Sequence, residues 1–279
     1  MRHFLIKYIR PPLKKIGFYT WSFNTFFYIQ SKYNFILNLF NKKFRKTAII
    51  FTYHRIATVS NDPQSLCVSP ALFTEQVEFF KNNFEIISLP ELANRLKDKK
   101  LDGNEMAITF DDGYRDNLTN ALPILEKYNI PATIFVCTAK IGEQASFPWD
   151  LEYSENDRAY FLSADEIRLL SKHPLIEIGA HTHSHSRLST FSNDEQLKEI
   201  SLNLEILKNL TEKPITSFAY PFGGIFDYNS FSKKILKDLG LRHICNTTEQ
   251  LVTNSTPYYN LPRFNMRSYT VKQLTVWYK

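Results

Sequence analysis

Residues 104–138, NEMAITFDDGYRDNLTNALPILEKYNIPATIFVCT, decide the fold. The stretch opens on strand formers that are apolar on both faces and stops at two adjacent carboxylates, Asp111 and Asp112, followed by Gly113. A helical stretch comes next, YRDNLTNALPILEKYN, and then a second apolar run, PATIFVCT. Strand, helix, strand, with no polar face on either strand, reads as a parallel unit covered by helices. The paired carboxylates at the strand exit raise a second question. Neighbouring like charges repel, so either both are solvated or a cation waits beside them.

The alternation continues in both directions. Upstream lie a strand in TAIIFTYH, a helix in SPALFTEQVEFFKNN with Ser69 as cap and Pro70 in its first turn, and a helix in LPELANRLKDKK. Downstream, SADEIRLLSKH opens on a Ser163–Glu166 capping box and leads to a strand in LIEIGAHTHS. The longest predicted helix, SNDEQLKEISLNLEILKNLT, places Leu197, Ile200, Leu204 and Leu207 on one stripe. Strands in ITSFAYPFGG, LRHICNTT and YNLPRFNM flank a helix stopped by Gly240, and a short helix ends the chain. This number of units predicts a (β/α) barrel over residues 47–279, with the residues at strand exits gathered on one rim. A length of 279 residues suits a single such unit.

Charge divides the chain at residue 46. Of 34 Lys and Arg, ten fall in residues 1–46 with no Asp or Glu, which leaves 24 basic against 28 acidic residues in the remainder. Residues 1–46 are also rich in aromatics, including Phe18, Tyr19, Trp21, Phe23, Phe26, Phe27 and Tyr28. They lack an apolar run long enough to span a bilayer and a compact stretch followed by a cleavage site. The segment reads as a basic, aromatic, helical extension suited to peripheral contact with an anionic membrane surface, on the cytoplasmic side. No groove-reading module follows it, so nucleic acid is not expected as a partner. Cys67, Cys137 and Cys245 are odd in number and far apart, which argues against a disulfide framework or a cysteine zinc site and fits a reducing compartment.

Five strand exits carry reactive side chains: His54; Asp111 with Asp112; His181, His183 and His185; the turn Tyr220, Pro221, Phe222 and Gly223; and Arg263. Two imidazoles four residues apart plus one carboxylate from another strand match a divalent metal site with open positions, and such an ion makes paired carboxylates tolerable. Zinc suits this donor set, with nickel or cobalt as alternatives. One carboxylate can ligate while the other takes a proton. His183, lying between the two, should point the other way by strand alternation. Asp227 reads as the cap of the next helix, and Arg115, Asp116 and Asn117 open a helix at the rim.

TFDDGYRDN, IGAHTHSHSRLS and FAYPFGG resemble the three leading motifs of the polysaccharide deacetylases of carbohydrate esterase family 4, over about residues 48 to 267. The resemblance implies a distorted (β/α) barrel and metal-dependent hydrolysis of an N-acyl amino sugar. It implies Asp111 as general base and Asp112, His181 and His185 as metal ligands. The 220–223 turn would offer a backbone donor to the oxyanion and an apolar wall for the sugar. The chain also departs from the pattern. Ala219 stands where the third motif usually has an Arg, no Asp-x-x-Asp-Trp is present, and no Leu-x-His follows residue 243. A branch acting on exopolysaccharide or lipid-linked sugars carries an early Tyr-His and a late Arg, matched here by Tyr53-His54 and Pro262-Arg263. On that basis His54 is expected to protonate the leaving amine and Arg263 to steady Asp111. The expected substrate is an acetylated amino-sugar glycan or lipid-linked saccharide of the bacterial envelope. An extracellular polymer is the alternative, and a non-catalytic glycan binder or another metal-dependent hydrolase the rival.

Overall fold

The computed structural model describes residues 46–144 and 147–278. The extension read over residues 1–46 therefore lies, apart from Lys46, outside the described residues. No helix among the described residues is long and apolar enough to cross a membrane.

The quoted stretch forms β5 (Glu105–Phe110) and β6 (Ala132–Val136), paired in parallel, with the connection passing over one face. The connecting helix starts with a π-helical segment, Asn117–Ala121, before α3 (Leu122–Tyr128). Around this unit run β1 (Thr47–Tyr53), β7 (Ile176–Ala180), β8 (Ser217–Ala219) and β9 (His243–Cys245), in the spatial order β1-β5-β6-β7-β8-β9, all parallel. Short strands not expected from the sequence complete the sheets: β2 (Arg55–Ile56) with β3 (Cys67–Val68), β4 (Glu85–Ile86) beside β5, and β10 (Val252–Thr253) antiparallel to β1.

Closure of the curl is the feature that matters for the site. The predicted strand YNLPRFNM shrinks to β11, Phe264–Asn265, which pairs with β1, while Leu261 bridges Cys245 of β9. Leu261 donates to Ile244 O at 2.7 Å and Met266 to Thr52 O at 2.8 Å. Residues 261–266 thus stitch the two ends of the parallel sheet into a distorted barrel, with Arg263 in the seam.

Two apolar layers hold it. Inside, Ala48, Ile50, Ala107, Phe135, Ala219, Cys245 and Leu261 meet Leu89, Leu92, Ala93 and Leu96 of α2 (Leu89–Lys97). Outside, Phe51, Ile108, Ile134, Ile178 and Ile244 pack with buried residues of α1 (Pro70–Asn83), α4 (Ala164–Ser171), α5 (Asn193–Thr211) and α6 (Ser230–Asp238). Each fully buried Phe or Ile stabilises the layer by about 1.5–3 kcal/mol over exposure. Side chains must approach closely in the interior: a Cβ on Gly179 would stand 2.5 Å from the Phe135 ring.

The expected caps are present. Ser69 accepts from Leu72 N, and Ser163 and Glu166 form their reciprocal box. The stripe on α5 differs from expectation: Leu197 is 43% exposed, and the buried face is Gln196, Ile200, Asn203, Leu207 and Thr211. Polar Gln196 and Asn203 are inside because each has a buried partner to bind. The cap of α6 is Asn229, not Asp227, which instead accepts from Gly224 N within the preceding turn.

Candidate metal centre and active site

The exits of β5, β7 and β8 bend sharply. Asp112, Thr182, His185 and Phe222 all adopt left-handed backbone, with φ of 76°, 61°, 61° and 61°. Such conformations in non-glycine residues cost of order 1–3 kcal/mol each and persist where the surroundings enforce them. Here they turn each exit inward. Gly223, at φ 63°, continues the last bend against Thr247, whose backbone N would lie 2.8 Å from any Cβ there.

The bends bring Asp112, His181 and His185 together. Their ligand atoms all lie within 4.8 Å of one another, and all three residues are buried. Asp112 Oδ1 stands 3.4 Å from His181 Nε2 and 3.3 Å from His185 Nε2, yet it is a buried oxygen with no hydrogen-bond partner. His181 Nδ1 is 2.8 Å from the Ala219 carbonyl, which must accept, so in the neutral ring Nε2 presents its lone pair to the carboxylate. Lone pairs facing one another at this spacing suit a shared cation: about 3.3 Å is the edge of a tetrahedron with bonds of about 2.0 Å. The residues fit a divalent metal.

The two imidazoles are held differently. His181 N donates to Asn203 Oδ1 at 3.1 Å, and Asn203 Nδ2 donates to Val136 O and Thr138 Oγ1. Asn203 is fully buried, so this amide fixes the exit of β7 from below. His185 Nδ1 is buried without a partner. Its ring is instead wedged among Phe222, Phe147 and Trp149, at centroid distances of 4.7, 5.0 and 5.3 Å. Burial works to lower the pKa of both rings. In His181 the Asp112 and Asp111 carboxylates outweigh it and the pKa is raised, whereas in His185 burial prevails. These opposite shifts describe competition with a proton, which a metal would displace.

Arg263 grips the neighbouring carboxylate. Nη1 and Nη2 donate to Asp111 Oδ1 and Oδ2 at 2.7 and 2.8 Å. Nη1 also donates to Thr52 and Thr109 Oγ1, and Nε to Asn246 O. Burial alone would raise the Asp111 pKa, but Arg263 and then His181 hold it below the usual carboxylate range. Burial likewise opposes, and His185 and His181 overcome it, at Asp112, which stays ionised.

His54, half-buried just beyond β1, lines the same cleft of about 150 Å³ as Asp111, His181, His185 and Phe222. Its carbonyl accepts from Asn117 Nδ2 at 2.8 Å. His183 points elsewhere, its Nδ1 2.9 Å from Thr138 Oγ1.

The 220–223 turn divides against expectation. Phe222, 45% exposed, lines the cleft, while Tyr220 is buried and stacks on Tyr228 at 3.8 Å. Tyr220 thus belongs to the core and not to a substrate wall, because the strand is still alternating at that point. Pro221 is buried too, and Gly223 backs onto Thr247. Gly223 N donates to Pro221 O at 2.7 Å, and the Phe222 N–H makes no hydrogen bond among the described residues. Arg115, Asp116 and Asn117 are committed to the fold, through Glu166, through Arg55 with Ile56 N, and through His54 O. Asn203, Trp149 and Phe147 were missed by the sequence reading. A polar residue on the inner stripe of a long helix was the one signal for Asn203.

This barrel, with its rim of one carboxylate and two imidazoles beside a second, arginine-held carboxylate, has the architecture of the polysaccharide deacetylases, and the chain belongs to that family, whose profile matches residues 98–244. The chain is 27% identical over 244 residues to the poly-beta-1,6-N-acetyl-D-glucosamine N-deacetylase of Staphylococcus aureus strain MRSA252, covering 84% of this chain and 80% of that protein. In fold it is similar to Streptococcus pyogenes deacetylase PplD in complex with acetate, at a TM-score of 0.68, 23% identity, and 84% and 98% of the two chains. IcaB from Ammonifex degensii superimposes with a TM-score of 0.68 at 19% identity, over 83% and 97%.

Proposed function

We propose that the chain is a metal-dependent N-deacetylase that releases acetate from N-acetylated amino sugars of an envelope polysaccharide of the poly-N-acetylglucosamine kind. The observation that carries this is the convergence of Asp112, His181 and His185 beside an Asp111 clamped by Arg263. A degenerate glycan binder has no use for a buried, ionised carboxylate next to the ligand set. Between the two substrate classes expected from sequence, the polymer is favoured by what the Staphylococcus aureus relatives act on. The lipid-linked saccharide has no such support.

Asp112, His181 and His185 would hold the ion. When bound, a divalent ion supplies Lewis acidity and makes water a nucleophile near neutral pH. Asp111 accepts the proton of the attacking water. A carboxylate has lone pairs to spare beyond the two that Arg263 engages, and the clamp fixes its orientation. The unpartnered Phe222 N–H is available to the oxygen that gains charge. His54 delivers a proton to the departing nitrogen, so that the C–N bond breaks to give acetate and an amine. Phe222, Phe147 and Trp149 keep water from the buried side of the site.

The test is acetate release from poly-β-1,6-N-acetylglucosamine and from lipid-linked acetamido sugars. Protein stripped by chelator and Asp111→Asn protein serve as controls. Release that survives both controls would overturn the assignment.

A further inference from the structure

The cleft has a charge pattern that the reaction does not use. Beyond the metal centre it is lined by Gln64, Ser65, Leu66, Thr247, Asn265, Met266 and Arg267. Among the described residues, Arg267 is the one charged residue of that outer lining. The other arginines around the rim, Arg55, Arg115, Arg187 and Arg263, each hold a carboxylate. Among the described residues Arg267 holds none, although that part of the chain is rich in acids.

Its backbone is anchored. The Arg267 carbonyl accepts from Gln76 Nε2 at 3.2 Å, and Gln76 in turn accepts from the Tyr53 hydroxyl at 2.8 Å, so the exposed guanidinium stands on an anchored stem. Two residues away, Asn265 lines the cleft with its Oδ1 buried and without a partner. A neutral amide with spare bonding capacity beside an uncompensated cation favours a neutral, hydrogen-bonding ligand over a cationic one.

We propose that Asn265 and Arg267 form a subsite for the sugar adjacent to the reacting one, and that the Arg267 charge discriminates against a neighbour that is already deacetylated. The inference rests on the deacetylase reading above. An N-acetylated neighbour is neutral and offers an amide to Asn265. A deacetylated one carries an ammonium at neutral pH, which the guanidinium repels. One unit charge at such a partly solvated site is worth on the order of tenfold in specificity, and less at high salt. The enzyme therefore spaces its products along the polymer instead of working in blocks.

The experiment compares two β-1,6-linked trisaccharides, one N-acetylated throughout and one acetylated only on the central sugar. Wild-type protein is expected to favour the first about tenfold in kcat/KM, Arg267→Gln to flatten the ratio, and Arg267→Glu to invert it. Binding of both trisaccharides to Asp111→Asn protein should show the same order without turnover. A ratio that ignores the charge at position 267 would overturn the subsite while leaving the deacetylase standing. Failure of wild-type protein to release acetate from either trisaccharide or from the polymer would overturn both.

Discussion

Arg263 and Asp111 lie 152 positions apart in the chain and meet through two parallel hydrogen bonds of 2.7 and 2.8 Å in a fully buried site. Two threonines and one carbonyl share the same guanidinium, so Nε, Nη1 and Nη2 all donate. The arginine reaches Asp111 from the barrel seam, while Ala219 at the end of β8 offers no side chain that could.

Removing it should be severe. Arg263→Ala leaves Asp111 buried and unpaired, at a cost of about 3–5 kcal/mol in stability. Arg263→Lys retains the charge without the fork, and should fold with a smaller loss yet turn over slowly, because Asp111 is no longer aimed. Chemical denaturation and acetate release, measured together, check this; a fully active Lys variant would show that orientation is not the arginine's contribution.

His54→Ala should lower turnover of an acetamido sugar by about 10²–10⁴. An aryl acetate, whose leaving group departs without a proton, should lose far less. Equal losses on the two substrates would remove His54 from the protonation step.

Asn203→Ala tests how the strand that carries the candidate ligand His181 is held. The substitution strands the His181 N–H and the Val136 carbonyl, at a cost of about 1–3 kcal/mol for a buried group left unmade. Since the amide positions a ligand, metal affinity should fall roughly 10–100-fold. Competition with a metal-sensitive dye reads that directly. Asn203→Asp keeps the acceptor for His181 and should recover part of the affinity.

His243 gives a pH dependence of stability remote from the rim. Its Nδ1 lies 3.0 Å from Ser217 Oγ, and burial pushes its pKa down to about 4. Below the ordinary value of about 6.5 the unfolded chain takes up a proton that the folded chain refuses, so stability falls as pH drops from there toward 4. The loss from this residue is roughly 3 kcal/mol at most. His243→Gln should flatten that part of the profile; an unchanged slope would mean the ring is protonated in the fold.

Much of this was legible in the sequence where the physics is local. Apolar runs ending in Asp111 and in His181 gave strands and rim together, and Ser163 with Glu166 gave a helix start, because capping and alternation act within a few residues. The resemblance then supplied the roles. What stayed hidden depends on contacts across the barrel. The burial of Tyr220 follows from Tyr228 across the turn, and the inward face of α5 follows from the Val136 carbonyl and Thr138 hydroxyl that Asn203 finds at the end of β6. The shortness of β11 is also tertiary, since Leu261 and Phe264 pair with different strands.

The seam has a bearing on biosynthesis. All three candidate metal ligands are present by residue 185, but the clamp on Asp111 arrives only with residues 261–266, which also join the first parallel strand to the last. A nascent or clipped chain ending before that point would carry a complete set of ion donors and an unrestrained proton acceptor. On the proposed mechanism, hydrolytic competence would then wait for completion of the polypeptide, and premature fragments would not be working enzymes.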